Sequence, residues 1–461
     1  MTRESTRRSF GRDAVAGLLL CGALVLPWNL YLGLGIPGSD RRLFAVLAAA
    51  TVLSLASIGI RRLRVTLNTP YLLLVCAAVV FDVVQTVRYG GTDHPPGGVG
   101  PGAFLGVAGA LLAARIESRP RTVRFLGFAA MIGAGASALF NLYWRVRYAL
   151  PDPHSGDGFG RQHVAIIATA VVYAAVAWVT VYAGARWIVH ADSRSRIATV
   201  VLGVSTLGAG VLVWLLPAGR IIDGFHGIAQ NTSTAGVGFE GYLAWAAAAA
   251  IFLVPVLRGS PAPAWLDATG NTLLLIVVWC VGSALMRITD LVVAVTLHLP
   301  YSPYDSATMA AFDLVAAVIA IWLRINLSNR SLPAAAIWSV SAVLLGFTIA
   351  RIMVGVGLAP RLADPQRSAA LTHPVYGNGL AQQITSTFDV VLCGLALYGL
   401  AVAIVVGRLP RRRRARPKPG AAGSPRIFRS ADTTVRIPVG GPRIYRGEVD
   451  SAGDEADPAP E

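Results

Sequence analysis

Charged residues are scarce in this 461-residue chain, and lysine is almost missing from it. Charged side chains make up 14% of the residues, against about 25% in an ordinary soluble protein. Hydrophobic residues make up 54%, and the mean hydropathy is +0.59. A soluble domain of this length needs far more polar surface than such a composition supplies. The composition therefore excludes an ordinary soluble fold and predicts an all-α, polytopic membrane protein.

Sequence motifs of common enzyme classes are also missing. The chain contains no Walker loop, dinucleotide fingerprint, nucleophile elbow or HExxH sequence. All of its few cysteines fall inside apolar segments, where they form neither a metal-binding spacing nor a disulfide framework; they are Cys21, Cys76, Cys280 and Cys393. We therefore expect no cofactor and no metal site, and the sequence favours a protein that is not an enzyme.

The basic residues form a pattern along the chain. There are 40 basic and 24 acidic residues, and Lys418 is the single lysine. The arginines gather in alternate connections between apolar segments, not in one patch. This distribution indicates membrane topology, so we expect the lipid bilayer as a partner and no nucleic acid.

Apolar segments of membrane-crossing length recur throughout the chain. A crossing takes about 20 residues, and the hydropathy pattern predicts about twelve of them. They lie at residues 14–35, 43–60, 70–88, 102–115, 125–143, 164–188, 197–216, 241–257, 270–297, 306–323, 333–355 and 385–406. The fourth and eighth are short.

The alternation of arginine predicts the orientation. Arginines concentrate near residues 3–12, 61–64, 115–124, 186–196, 258, 324–330 and 408–418, and short cytoplasmic loops collect such residues. We therefore predict a multi-pass protein of the plasma membrane with both termini in the cytoplasm. We predict a basic N-terminus at residues 1–13, a transmembrane domain at 14–406, and a disordered, basic and proline-rich cytoplasmic tail at 407–461.

One predicted span carries two opposite charges. Arg287 and Asp290 lie within the apolar segment 279–297, where an ionisable residue is expensive and is by default a candidate for function. Their i,i+3 spacing places them on one face of a helix, so the two side chains can pair. We therefore interpret them as an intramembrane ion pair that acts as a structural anchor.

Four more charged residues lie inside other predicted spans: Asp82, Asp313, Asp389 and Arg351. We predict these as substrate- or ion-binding residues of an outward-opening polar cavity, with carboxyl groups that take up protons or cations. Asp82 and Asp313 are the sharper candidates because neither has an arginine one turn away on its own helix. The alternative is a set of salt bridges that only fixes helix packing.

The tail contains a possible phosphorylation site. Thr433 and Thr434 follow an acidic residue, and Ile437 and Pro438 come after them. This pattern resembles substrates of actinobacterial Ser/Thr protein kinases, and a threonine with isoleucine three positions later resembles the ligands of forkhead-associated domains. We therefore predict a kinase and a forkhead-associated domain as possible partners of the tail.

One stretch resembles a known family. Residues 26–31 read LPWNLY and residues 35–37 read GIP. This opening is similar to that of an uncharacterised family of multi-span membrane proteins from mycobacteria and related actinobacteria. The resemblance implies a helical membrane fold over most of the chain. It brings no established activity and therefore no site residues.

Three functions remain open from the sequence. The first is transport or flipping of a small molecule or envelope precursor through the polar cavity. The second is a membrane enzyme acting on lipid-linked envelope substrates. The third is a noncatalytic scaffold or signalling protein that acts through its phosphorylated tail.

Overall fold

A computed structural model gives the structure of the protein and describes residues 3–28, 39–88, 100–115, 120–150, 158–190, 192–215, 240–253, 262–298, 303–327, 332–362 and 387–408. These residues form twelve α-helices and one short 3-10 turn, at Arg61–Leu63, and no strand. The helices are α1 (Arg3–Val25), α2 (Arg41–Gly59), α3 (Arg64–Arg88), α4 (Pro101–Ala114), α5 (Pro120–Ala149), α6 (Arg161–His190), α7 (Ser193–Leu215), α8 (Glu240–Leu253), α9 (Ala262–Thr296), α10 (Pro303–Asn326), α11 (Ala334–Leu362) and α12 (Thr387–Arg408).

The prediction of an all-helical fold of membrane type is confirmed. Within the described ranges, each predicted span overlaps one helix, and nine helices are long and apolar enough to cross a bilayer: α2, α3, α5, α6, α7, α9, α10, α11 and α12. The apolar helices α4 and α8 have 14 residues each, fewer than the about 20 that a full crossing needs. The predicted tail, residues 407–461, lies outside the described residues beyond Arg408.

Helix α1 differs from the prediction at both ends. The predicted span was 14–35, but the helix begins at Arg3 and ends at Val25. Its end follows from Pro27, which has no N–H for a helical hydrogen bond and disfavours the helical conformation of the residue before it. Leu26, Pro27 and Trp28 therefore do not continue the helix.

The residues after α1 pack against the start of α4. The Trp28 indole Nε1 donates to the Ala23 carbonyl at 2.9 Å, and the backbone amide of Gly102 donates to the Pro27 carbonyl at 3.0 Å. A Cβ atom on Gly100 would lie 2.4 Å from the Pro27 carbonyl oxygen. Glycine is needed here because the two backbones approach so closely.

We divide the helices into three consecutive groups of four; the second and third are also joined to each other, because α7 packs on α12 and both α6 and α7 pack on α9. In the first group α1 packs mainly on α4, and α2 and α3 pack on each other. In the second group α5 packs on α6 and α8, and α7 packs on α8. In the third group α9 packs on α10, and α11 packs on α12. The second and third groups share one hydrophobic core, while the first has its own cluster, which includes Leu20 and Tyr71.

The outer helix faces are apolar. On α10, for example, Val318, Ile321 and Ile325 are all exposed, which fits contact with lipid tails. Several charged side chains in the third group, Arg287, Asp290, Asp313, Arg351 and Asp389, are buried instead, and their burial positions the candidate site.

Candidate functional site

Helix α9 carries a polar stripe along one face. Trp279, Ser283, Arg287 and Asp290 follow each other at intervals of four, four and three residues, and this spacing brings side chains onto one side of a helix. All four are buried. The stripe therefore faces other helices and not lipid.

The centre of the site is Arg351, which α11 places between two acids. Its Nε contacts Oδ1 of Asp313 on α10, and its Nη1 lies 2.5 Å from Oδ1 of Asp389 on α12. One guanidinium group thus joins three helices of the third group. A guanidinium suits this role because its donors form a planar fork that can serve several acceptors at once.

Helix α9 supplies the remaining contacts to this centre. Nη2 of Arg351 donates to the Ser283 hydroxyl oxygen at 2.7 Å. The Trp279 indole Nε1 donates to Oδ1 of Asp389 at 2.6 Å, and its ring packs edge-on against Phe388 with the centroids 5.0 Å apart. All four helices of the third group therefore meet at one polar network, which we call the Arg351 network: Trp279, Ser283, Asp313, Arg351 and Asp389.

The ion pair on α9 extends this arrangement to α6. Nη1 of Arg287 lies 2.9 Å from Oδ2 of Asp290, as the i,i+3 spacing allows. The Tyr173 hydroxyl, on α6, lies 2.7 Å and 2.8 Å from the two Asp290 carboxylate oxygens. Tyr173 is fully buried. This contact joins the second group of helices to the third through a charged residue.

The structure brings together three of the four sequence candidates for substrate or ion binding. Asp313, Asp389 and Arg351 meet, although they come from three helices. Asp313 was singled out because its own helix offers no arginine one turn away, and α11 supplies one. Asp82 lies on α3 in the first group, and its side chain is outside the described residues. The tail candidates Thr433 and Thr434 are also outside them.

Three members of the site were missed from the sequence. Trp279 and Ser283 precede Arg287 by about two turns and one turn. Helical periodicity along α9 could therefore have placed them on the same face as Arg287. Tyr173 had no comparable signal. It is 117 positions from Asp290, and a tyrosine in an apolar segment is common.

The charged side chains are enclosed in this conformation. Arg287, Asp290, Asp313, Arg351 and Asp389 are each 8% exposed or less. The sequence predicted an outward-opening cavity, and these five groups are buried. Among the residues that the structure describes, no group of three or more His, Cys, Asp or Glu side chains is placed to hold a metal ion.

A second charged network lies in the first group of helices. Arg64, which begins α3, contacts both carboxylate oxygens of Asp13 on α1 at 2.9 Å and 3.0 Å. It also donates to the carbonyl oxygens of Ile58 and Ala113 at 2.8 Å and 3.4 Å, at the ends of α2 and α4. Arg115 contacts Asp13 at 3.0 Å. We call these side chains the Asp13 network: Asp13, Arg64 and Arg115.

The arginines of this network set the acidity of Asp13. Partial burial raises the pKa of the Asp13 carboxyl, but hydrogen bonds from Arg64 and Arg115 lower it further than burial raises it. The pKa of Asp13 therefore lies below its ordinary value. The carboxylate is ionised at neutral pH, and the network ties the middle of α1 to the ends of α2, α3 and α4.

Comparison with known protein families gives a match over most of the chain. A family model described as "Domain of unknown function (DUF7937)" matches residues 9–408, which include all twelve helices except the first residues of α1. No curated protein matches the chain, and no solved structure matches it.

Proposed function

Because the chain belongs to the DUF7937 family, which is defined by a domain of unknown function, we propose its activity from the geometry of the Arg351 network. The proposal is secondary transport or flipping of a small molecule or envelope precursor across the plasma membrane. The network acts as the coupling site. The chain crosses the membrane about twelve times with both termini cytoplasmic, as the arginine distribution favours.

The observation that carries this proposal is the sharing of Arg351 by two buried acids on different helices. A packing contact needs only one acid for one arginine, and the second buried carboxylate adds charge that hydrocarbon does not tolerate. Such an arrangement has two states. In the first state Arg351 contacts both acids. In the second state one acid has been neutralised, and Arg351 is held by the remaining ionised acid alone.

A change of charge at this point has consequences for the whole third group. Because α9, α10, α11 and α12 all contribute to the network, weakening one contact loosens one helix against three others. Tyr173 connects the same region to α6 in the second group. A rearrangement here is therefore passed to the interface between groups, as alternating access requires.

The test uses the full chain purified and reconstituted in lipid vesicles. The vesicles contain a pH-sensitive dye, and pools of amino acids, sugars, nucleotides and organic acids are added outside under an imposed membrane potential. A fluorescent polyprenyl-phosphate analogue, followed by its accessibility to an aqueous quencher, tests flipping. We expect a compound of one pool, or the analogue, to cross the membrane. The Asp313→Asn variant should lower the rate of that movement by at least about tenfold, which corresponds to about 1.4 kcal/mol.

Two variants control this experiment. Asp305→Asn changes the only other acid of α10, which lies in the first turn and is partly exposed, and it should leave transport unchanged. Removal of residues 416–461 should leave transport unchanged as well, whereas a scaffold acting through Thr433 and Thr434 loses its output. Movement that is equal in the wild type and in Asp313→Asn would refute the coupling role of the network.

A further inference from the structure

The outer face of α5 and α6 carries a row of aromatic and basic side chains that belong to neither charged network. On α6, Trp178, Tyr182 and Arg186 follow each other at intervals of four residues, which places them on one side of the helix. Trp178 is 42% exposed and Tyr182 is 49% exposed. Their rings stack with the centroids 5.9 Å apart, and the guanidinium carbon of Arg186 lies 6.0 Å from the Tyr182 centroid. The three side chains therefore form a continuous exposed row.

Helix α5 lies alongside this row and adds to it. A Cβ atom on Gly135 would lie 3.3 Å from the Trp178 indole nitrogen, and Nε of Arg124 donates to the Val189 carbonyl at 3.4 Å. Arg124 therefore lies beside the last turn of α6. Phe128 follows Arg124 by one turn, on the same side of α5, and is 48% exposed. We call these side chains the α5–α6 face: Arg124, Phe128, Trp178, Tyr182 and Arg186.

The two arginines of this face are not neutralised by an acid. In the described part of the chain the guanidinium of Arg124 donates to the Val189 carbonyl, that of Arg186 lies over the Tyr182 ring, and neither forms an ion pair. Arg186 lies one turn before Val189, so both guanidiniums lie beside the same end of α6. Two unpaired guanidiniums at one place favour an anion, and their planar forks suit phosphate oxygens.

The depth of the row indicates which anion fits. Arg124 is the fifth residue of α5 and Arg186 is the fifth from the end of α6. Both helices are long enough to cross a bilayer, so the arginines lie near its surface. Trp178 lies eight residues from Arg186, or about 12 Å further along the helix, at the depth of acyl chains. A phospholipid has a phosphate for the arginines and a chain for the rings, whereas a water-soluble anion contacts the arginines alone.

We propose that the α5–α6 face is a binding site for one anionic phospholipid. Arg124 and Arg186 bind the phosphate oxygens, and an acyl chain lies along Tyr182, Trp178 and Phe128. The Tyr182 ring holds the Arg186 guanidinium through a cation–π contact, which leaves its N–H groups available to the phosphate. The site contains none of the buried charges of the third group, and the inference does not depend on the proposed transport.

Native mass spectrometry of the full chain in detergent tests the site. Dioleoyl phosphatidylglycerol and dioleoyl phosphatidylcholine are added in separate titrations, because they have the same acyl chains and differ in net charge. We expect the wild type to bind the first molecule of phosphatidylglycerol more tightly than that of phosphatidylcholine. The Arg124→Gln/Arg186→Gln double variant should bind phosphatidylglycerol at least about tenfold more weakly, because both phosphate contacts are lost. Excess inorganic phosphate should not displace the lipid, since it has no acyl chain.

The matched control removes two exposed arginines that lie elsewhere, Arg194 and Arg324, so the net charge of the two double variants is the same. Arg194→Gln/Arg324→Gln should bind phosphatidylglycerol as the wild type does. Tyr182→Phe keeps the ring and should also bind as the wild type does, whereas Tyr182→Leu should bind several-fold more weakly. Circular dichroism melting curves equal to that of the wild type show that each variant is folded.

Three outcomes would overturn the site. Equal losses in the two double variants would show a general effect of charge. Equal binding of the two lipids by the wild type would remove the preference for an anionic lipid. Displacement of the lipid by inorganic phosphate would show that the arginines bind a soluble anion, and unchanged binding in Tyr182→Leu would contradict the role of the ring.

Discussion

Two charged networks of this protein have opposite charge balances. In the first group of helices one acid, Asp13, is contacted by two arginines, Arg64 and Arg115. In the third group one arginine, Arg351, is contacted by two acids. The Arg115 side chain is 34% exposed, whereas the three charged side chains of the Arg351 network are 6% exposed or less. An arginine of the Asp13 network therefore reaches water, and the carboxylates of the Arg351 network do not.

This difference separates a structural role from a functional one. The Asp13 network also uses backbone carbonyl oxygens at the ends of α2 and α4, where they have no partner within their own helix. The Asp13 network therefore combines ion pairs with the capping of helix ends, which is a structural role. Ser283, Asp313 and Arg351 lie well inside their helices, so helix capping does not explain the contacts of Arg351 with the other two; Asp389 lies in the first turn of α12. Charged groups buried inside such helices are by default candidates for function.

The largest effect should come from removing the shared arginine. Arg351→Met leaves two buried carboxylates facing each other, and breaking a buried ion pair in this way costs about 3–5 kcal/mol. The free energy of unfolding in detergent should fall by that amount. Replacing Asp313 and Asp389 by asparagine in the same chain should restore most of it, because no uncompensated charge then remains.

The matched control for this variant is Arg324→Met. Arg324 is exposed at the end of α10, so the same substitution there should change stability by less than about 1 kcal/mol. If Arg351→Met is no more destabilising than Arg324→Met, the Arg351 network does not hold the third group together, and the contrast between the two networks fails.

The Asp13 network should respond to acid in a predictable direction. The folded pKa of Asp13 is depressed, so its contribution to stability is present above the unfolded pKa of about 3.9. That contribution is lost as the pH falls through the lower folded value. Asp13→Asn should therefore be less stable than the wild type at pH 7, by about 1.5–3 kcal/mol for hydrogen bonds to a charged group.

Thermal unfolding of the two proteins across pH measures this effect. The difference in melting temperature should be constant from pH 7 to about pH 5 and should shrink below about pH 4, as the wild type loses the charge that the variant lacks. A difference that stays the same down to the lowest pH would show that the carboxylate charge does not stabilise the network.

A third, exposed site gives the smallest expected effect and sets the baseline. Asp192 precedes α7, and its carboxylate accepts the backbone N–H of Ser195 at 3.1 Å and contacts Nε of Arg194 at 2.7 Å. Asp192→Ala should cost about 1 kcal/mol through loss of the helix cap. Arg194→Ala should cost less than about 0.5 kcal/mol, because exposed ion pairs contribute little. Chemical denaturation of both variants checks this order, and a reversed order would show that the ion pair outweighs the cap.

The helices could be located from the sequence because each apolar run carries its own signal. Residues 306–323 were predicted as a span, and α10 covers Pro303–Asn326; the ends differ by only a few residues. The largest difference is in α1, where hydropathy extended the predicted span to residue 35. Hydropathy measures transfer to lipid and contains no information about Pro27, whose effect on backbone geometry ends the helix at Val25.

The candidate site could be predicted only where its contacts are local. The spacing of Arg287 and Asp290 placed them on one face of one helix, and they lie 2.9 Å apart. The contact between Arg351 and Ser283 joins positions 68 residues apart. No spacing rule covers it, because it depends on how each helix is rotated about its axis. Asp82 resembled Asp313 in the sequence, yet it lies on α3 in a different group of helices.

The sequence by itself determined the helical membrane class, the approximate limits of the helices and the five buried charges of the third group, because hydropathy and charge are properties of each segment taken alone. Only the tertiary structure decided which charges meet. That choice depends on packing between helices, and packing placed two acids around Arg351 in the interior and two arginines around Asp13 at the helix ends.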